Sequence, residues 1–548
     1  MQEMHERAGI NYLGQYRSGG RSRKLTEALH ALSRAVEVPA YDYPLYRMVT
    51  ETLGFRLRVD EENRSVTSEQ WVERALTGYG CPIHRTWDDF RTSGKGRGCT
   101  CHLRTESRGH RNRKESADWS ENSDSGTERS GLAVPGPGTH DGGASLPSVQ
   151  DNVPDRRGRG SPHELAHRLA LRSVYSTARG LEGRRKPLPL AEVVEHHIHH
   201  ASYAGLPLLA SNGDCLDAGA RLAERLARGE RGFDPYLFGR RVQPGSAGPK
   251  TRLVWMAPLP TTIVGLAFSK PVQEALARNR PYIWGLQKHE VGSIISEMTG
   301  RFRYVYSLDW SQFDASVSSS LINDMFRVVR SMLDLTDDEN KLFWRYVNDF
   351  IHTRIVLPDG GVYQVHRGVP SGSAFTSLID SMVNTYLINY LWHRVTGHAL
   401  GHNQVLVMGD DALVAVNDRV ELADLARYAE QIGFKLNVEK SVIVSSGDSG
   451  GIHFIGHHWT HGRPRRPHRE LVTRMAFPER HAKQDLARSL TRLGGYALSS
   501  VDGLVLLLQL YDHGDIVSAL SQYLWELRAS GANDRLRAYD LPGDLRRR

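Results

Sequence analysis

Cysteine is scarce in this 548-residue chain, with four residues at Cys81, Cys99, Cys101 and Cys215. Four thiols so placed make no disulfide framework, which excludes the stapled secreted scaffolds and fits a reducing interior. Long apolar runs are missing as well. The strongest, Leu504 to Leu510, is far below the ~20 residues that a membrane-spanning helix needs. No charged and then apolar leader opens the chain. The expectation is a soluble protein, intracellular or enclosed in a particle, with no membrane partner. Nor does one sign of charge dominate: Lys and Arg number 70 against 62 Asp and Glu, for a formal net charge of +8 and a pI near 9.2. That excess permits a polyanionic partner, although a solvated basic surface has the same signature. What is present is ample apolar material, 40% of residues. At this length it should divide among about two to four lobes.

Residues 1–90 read as a mainly helical extension, from the spacing in Leu25–Leu32 and Trp71–Leu76. Over 91–160 the aliphatics nearly vanish, and breakers such as Val134-Pro135-Gly136-Pro137-Gly138 take over. Such a stretch buries too little apolar surface to offset its ordering entropy, so it reads as a disordered insertion. Cys81, His84, Cys99 and Cys101 could supply four zinc ligands, but their spacing is irregular and half of them fall in this segment. Folded character returns at Ser161-Pro162-His163-Glu164, a helix start with Ser161 as cap. His196 and His200 could share a metal if one helix carried both, or be ordinary polar helix positions. Further on, Lys250 and Arg252 alternate with Thr251 and Leu253. On a strand, residues two apart share a face, so both cations would project together, which suits a triphosphate. A solvated strand face has the same pattern.

Two stretches carry the chemistry. Val405-Leu406-Val407-Met408 and Ala412–Val416 flank Gly409-Asp410-Asp411. They read as two buried strands joined by a tight hairpin, in which Gly409 supplies the turn's conformational freedom. Adjacent carboxylates repel, so a fold keeps them together with a compensating cation, and Mg²⁺ or Mn²⁺ suits oxygen ligands. An ordinary Asp-rich turn is the alternative. Upstream, the apolar strand Tyr304–Leu308 delivers Asp309, and a turn toward a helix presents Asp314. Asp309 could join Asp410 across neighbouring strands and hold two ions about 3.5–4 Å apart, the spacing for in-line phosphoryl displacement. Between them in sequence, Gly368–Thr376 is a Gly/Ser loop running into a helix. There Thr376, Asp380 and Asn384 recur every fourth residue and share one face. Such a buried polar stripe needs partners, which ribose hydroxyls and Asp314 would supply.

In order and spacing these segments resemble the palm of viral RNA-dependent RNA polymerases. Lys250 and Arg252 are similar to motif F, Asp309-x4-Asp314 to motif A, Ser371-Gly372-x3-Thr376 to motif B, and Gly409-Asp410-Asp411 to motif C. Gly433–Ser441 resembles motif D, His453–Gly456 motif E, and Ser202-x-x-Gly205 motif G. The wording Leu-Asp-Trp-Ser-x-Phe-Asp and Gly-Val-Pro-Ser-Gly-Ser-x-Phe-Thr is most similar to partitiviruses and picobirnaviruses, double-stranded RNA viruses with small segmented genomes. The resemblance implies an α+β right-hand polymerase with an antiparallel palm sheet and helical fingers and thumb. The fingers would span 161–300, the palm 301–460 and the thumb 461–548. It implies two Mg²⁺ or Mn²⁺ ions on Asp309, Asp410 and Asp411, and triphosphate binding by Lys250 and Arg252. Asp314, Ser371, Gly372, Thr376, Asp380 and Asn384 would form a ribose-sensing group, and Lys440 would donate a proton to pyrophosphate. Many positive-strand polymerases carry Asn where Asp380 stands, which leaves open whether Asp380 or Asn384 meets Asp314.

The implied partners are template and product RNA and NTPs, with a viral coat protein as a further candidate, in a virion or host cytoplasm. The basic segment Gly462–Pro467 reads as a turn that could touch product RNA. A reverse transcriptase shares the palm, but a polar residue at Asp314 favours ribonucleotides. A non-catalytic RNA-binding coat or scaffold protein would have the same basic surface and no use for three carboxylates in this order.

Overall fold

The structure is a computed structural model. It describes residues 161–245, 248–357, 360–446 and 451–467, with short pieces at 11–15, 36–37, 65–66, 470–471, 495–496 and 500–503. The helical runs near Leu25 and Trp71, the 91–160 segment, the Cys81/His84/Cys99/Cys101 set and nearly all of 468–548 lie outside the described residues. So does the side chain of Lys250.

After strand β1 (Asn11–Gln15), the main body opens with helices α1 (Pro162–Thr177), α2 (Leu190–His196) and α3 (Leu216–Ala227). The α1 start is the expected one. Ser161 Oγ accepts the Glu164 N–H at 3.3 Å and Glu164 Oε2 accepts the Ser161 N–H at 2.9 Å, a reciprocal capping box. Helix α2 stops at His196, with His197 as its cap. His200 therefore lies beyond the helix, and the two histidines do not share a helical face as a metal pair would need.

Strands β2 (Tyr236–Gly245) and β3 (Gly248–Met256) form a long hairpin, followed by α4 (Leu259–Leu276) and α5 (Lys288–Arg301). Next come β4 (Tyr304–Leu308), β5 (Trp310–Ser311), α6 (Phe313–Ser316), α7 (Ser319–Met332), α8 (Asp337–Ile351), β6 (Arg354–Val356) and β7 (Gly361–Gln364). The central helix α9 (Thr376–Thr396) leads to β8 (Val405–Met408) and β9 (Asp411–Val416). Helix α10 (Leu422–Gln431) and β10 (Lys435–Leu436), β11 (Val442–Ser445), β12 (Ile452–Phe454), β13 (His457–Thr460) and β14 (Arg463–Arg465) complete the described order. The segment read as a basic turn is thus a turn at Gly462 followed by strand β14.

Two sheets organise these elements. One has the order β1-β7-β6-β2-β3, antiparallel except for the parallel pair β2–β6. The other, the expected antiparallel palm sheet, has the order β8-β9-β4-β11. Strands β4, β8 and β9 read as nearly unbroken apolar runs because both of their faces are covered. Tyr306, Leu308, Val405, Val407, Ala412 and Val414 join the core on the α9 side. Val305, Leu406, Leu413, Ala415 and Val444 pack on the opposite side with Ile295 and Met298 of α5 and Trp459 of β13. Period-two alternation thus sends neighbouring residues into two cores, and each fully buried aliphatic side chain contributes about 1.5–3 kcal/mol. Helix α9 is buried nearly all round and ends at Gly397, which takes φ +76° and returns its N–H to the His393 carbonyl at 2.9 Å.

Two packing details yield measurable consequences. At Gly372 an added Cβ would sit 1.8 Å from the Trp255 carbonyl oxygen of β3, so the loop before α9 touches the hairpin backbone directly. Gly372→Ala should lose about 1–3 kcal/mol by forcing these segments apart. Gly300→Ala, in helix α5 with nothing within 4 Å of the new carbon, should be neutral or gain up to about 0.5–1 kcal/mol. Denaturant unfolding of the two variants checks the contrast. Separately, burial pushes the Asp349 carboxyl up to about 7, and Arg354, at 3.6 Å, offsets only part of that. An unfolded Asp titrates near about 3.9. The folded state therefore holds an extra proton in that interval. The residue's contribution is complete below about pH 4 and is lost as the pH rises to about 7. Asp349→Asn, neutral throughout, should gain on wild type by an amount on the order of a few kcal/mol between about pH 5 and 8. Urea denaturation across that range measures it, and a pH-independent difference would contradict the burial account.

Candidate active site

The β8–β9 hairpin closes through two residues. Met408 pairs with Asp411, leaving Gly409 and Asp410 as the loop. Gly409 has φ +63° and Asp410 does not share the left-handed region, the pattern of a II′ turn with glycine first. Asp410 is exposed at the tip and Asp411, the first residue of β9, is half-buried. Across the sheet Ala412 pairs with Leu308, so the next residues along, Asp411 and Asp309, stand side by side at the strand ends. The Asp309 backbone is pinned from its other flank. Its N–H donates to Ser441 Oγ at 3.1 Å, and its carbonyl accepts the Asn437 N–H at 2.8 Å. Strand β5 then pairs with β10, and Gln312, at φ +53°, turns the chain into the short helix that carries Asp314. The Asp314 carbonyl accepts the Val369 N–H at 2.8 Å, which fastens this helix to the Gly368–Thr376 loop.

The carboxylates feel one another. Burial, then Asp410, then Asp309 push the Asp411 carboxyl up to about 7, with Arg252 opposing. Burial and Asp410 likewise push Asp314 up to about 7, opposed by its own backbone N–H and by Arg252. Asp380 is raised well above the ordinary carboxylate range by burial, Asp314 and Asp410. Its side chain is 4% exposed, and its Oδ1 has no hydrogen-bond partner among the described residues. Asp380 is thus the helix residue within electrostatic reach of Asp314, while the Asn384 amide is taken up by the hairpin turn. Arg252 is exposed on β3, across from Arg241, and its charge reaches both Asp314 and Asp411.

This donor set fits a hard divalent cation. It consists of oxygen ligands only, mutually repelling, with an orphaned carboxylate oxygen behind them. Among the described residues no three His, Cys, Asp or Glu side chains close on a single point. An ion here would complete its shell with water and substrate phosphates, as Mg²⁺ commonly does.

The remaining expected residues divide. Ser371 Oγ accepts the Trp255 N–H at 3.3 Å and ties the loop to β3, and Thr376 Oγ1 donates to the Pro370 and Ser373 carbonyls at 2.7 and 2.9 Å and shapes the loop itself. Asn384 points at the hairpin turn: Nδ2 donates to the Gly409 and Asp410 carbonyls at 3.0 and 2.9 Å. Lys440 is exposed in the turn between β10 and β11. Lys250 lies on β3 opposite Gln243 by backbone register.

Several supports went unread in the sequence. Ser381 Oγ accepts the Gly409 N–H at 2.8 Å, Ser373 Oγ meets the Tyr346 hydroxyl at 2.9 Å, and Trp310 Nε1 donates to Asn384 Oδ1 at 3.2 Å. A small hydroxyl such as Ser381, buried in the helix beside Asp380 and Asn384, was the available signal.

Residues 247–512 match the family described as viral RNA-dependent RNA polymerase. The RNA-directed RNA polymerase of Cryptosporidium parvum virus 1 (strain KSU-1) is 27% identical over 218 residues, covering 38% of this chain and 41% of that one. That of Atkinsonella hypoxylon virus (isolate 2H) is 33% identical over 165 residues, covering 28% and 24%. The chain thus spans less than half the length of these curated relatives. In three dimensions it is similar to the RNA-dependent RNA polymerase of a human picobirnavirus in its insertion-loop deletion form. The TM-score is 0.56 at 15% identity, over 68% of this chain and 77% of that one. Residues 247–512 are accordingly similar to the viral RNA-dependent RNA polymerases, and the chain shares the right-hand fold of the picobirnavirus enzyme.

Proposed function

We propose that this chain copies RNA from an RNA template, joining the α-phosphate of each NTP to a growing 3′-hydroxyl and releasing pyrophosphate. The observation that supports the reading most is the placement of Asp309, Asp410 and Asp411 at adjacent strand ends and the turn between them, with the charge of Arg252 reaching Asp411. Asp309, Asp410 and Asp411 would hold Mg²⁺ or Mn²⁺. When bound, such ions neutralise the charge that develops on the phosphate oxygens and favour the ionised 3′-hydroxyl. Arg252, with Lys250 on the same strand, draws the triphosphate toward the carboxylates. Fixed cations already in place at the moment of reaction need no reorganisation, which is where such sites gain most of their rate. Asp314 and the buried Asp380 form the ribose-facing pair, and the bond of Ser371 to β3 and those of Thr376 within the loop keep it in shape for them. Lys440, exposed beside this end of the sheet, is assigned the protonation of the leaving pyrophosphate.

In this reading 161–300 are fingers, 301–460 palm and 461–548 thumb. The partners are template RNA, product RNA and NTPs, with a coat protein as a further one, in a virion or host cytoplasm.

Full-length protein with an RNA template, NTPs and Mg²⁺ should yield template-length product. Asp410→Ala should lower the rate at least about a hundredfold, the scale of losing one electrostatic stabiliser of a transition state. Undiminished synthesis by that variant, or a preference for dNTPs, would overturn the assignment.

A further inference from the structure

Helix α9 holds all three peptide groups of the metal-side turn. Ser381 and Asn384, each fully buried, face it from one helix side. Ser381 Oγ accepts the Gly409 N–H at 2.8 Å while its own hydroxyl donates to the Ser377 carbonyl at 2.7 Å. Asn384 uses both ends of its amide. Nδ2 donates to the Gly409 and Asp410 carbonyls at 3.0 and 2.9 Å, and Oδ1 accepts Trp310 Nε1–H at 3.2 Å. The amide orientation follows from its partners, because the flipped group would set an oxygen against two carbonyls. Trp310 directly follows Asp309, and its ring is seated against Phe313 and Phe434. One side chain therefore ties the backbone of Asp410 to the residue after Asp309.

We propose that Asn384, assisted by Ser381, is a positioning residue that sets the separation of the Asp309 and Asp410 carboxylates and hence the affinity of the site for a divalent cation. This rests on the polymerase reading for what the cation does, but the spacing role is independent of it. Asn384 then touches neither ribose nor phosphate. It acts through the turn and through Trp310, as outer groups hold inner ligands in many metal sites. Sugar discrimination is left to Asp314 and Asp380.

The test uses the full chain with Mn²⁺ as probe, read by electron paramagnetic resonance, beside steady-state kinetics and thermal unfolding. Asn384→Ala should weaken Mn²⁺ binding about tenfold, the lower end for outer-shell groups, and Ser381→Ala by a smaller factor. Asn384→Asp keeps the acceptor for Trp310 but loses both donors, and should bind at least as weakly as the alanine variant. In each variant kcat should fall with Mn²⁺ affinity, while KM for NTP and the NTP/dNTP preference stay near wild type. Unchanged Mn²⁺ affinity in folded Asn384→Ala would overturn the proposal. So would lost sugar preference with Mn²⁺ binding intact, which would make Asn384 a ribose reader. Should Asn384→Ala fail to fold, Ser381→Ala decides alone by the same readouts. Wild type that binds Mn²⁺ but makes no RNA, with weakened binding in the variants, would sink the polymerase reading and leave the positioning role standing. Wild type that binds no Mn²⁺ would overturn both.

Discussion

Mutual repulsion among carboxylates is the constraint on which the rest of this structure turns. Asp309, Asp314, Asp380, Asp410 and Asp411 come from three separate segments, and the fold forces them toward one another. Like charges at short range disfavour ionisation, and burial adds to the penalty. A chain gains nothing in stability from such an arrangement. It persists because the palm sheet and helix α9 over-determine it, with strands buried on both faces and a helix buried nearly all round. The scaffold supplies the stability, and the site carries an unfavourable charge set that a cation can relieve.

The scaffold also fixes how that charge set is presented. Strand register puts Asp309 beside Asp411, and the two-residue turn lifts Asp410 clear of the sheet. The β3 backbone touches the Gly372 loop so closely that no side chain fits between them. Arg252 on that strand is thereby carried to the carboxylates, where its charge partly offsets theirs. The small sheet β12-β13-β14 braces the far face of the palm, with Ser307 Oγ donating to the His453 carbonyl. Positions that look independent in sequence are mechanically one unit.

Much of this was legible in the letters. The hairpin strands, the β4 strand leading to Asp309 and the helix begun at Ser161 follow from apolar patterning, a turn glycine and a capping serine, all of them local signals. Helical spacing correctly put Thr376, Asp380 and Asn384 on one face. It could not say which would face Asp314, because that depends on the depth at which α9 packs against the turn. Ser381, Trp310, Ser441 and Asn437 support the site through tertiary hydrogen bonds, which leave no periodic trace. The His196/His200 pairing failed because the helix ends sooner than its polar run suggests. Pro464 made β14 read as a turn, yet proline is tolerated on an edge strand, and β14 lies at the edge of its sheet.

The central claim is that these carboxylates are held together for a divalent cation. The most direct measurement is the thermal unfolding of the full chain, at fixed ionic strength, with and without Mg²⁺. A ligand that binds the folded state alone raises the melting temperature by mass action. Wild type should therefore melt higher as Mg²⁺ is added, and Asp410→Asn should respond much less. An equal rise in both, or none in wild type, would contradict the account.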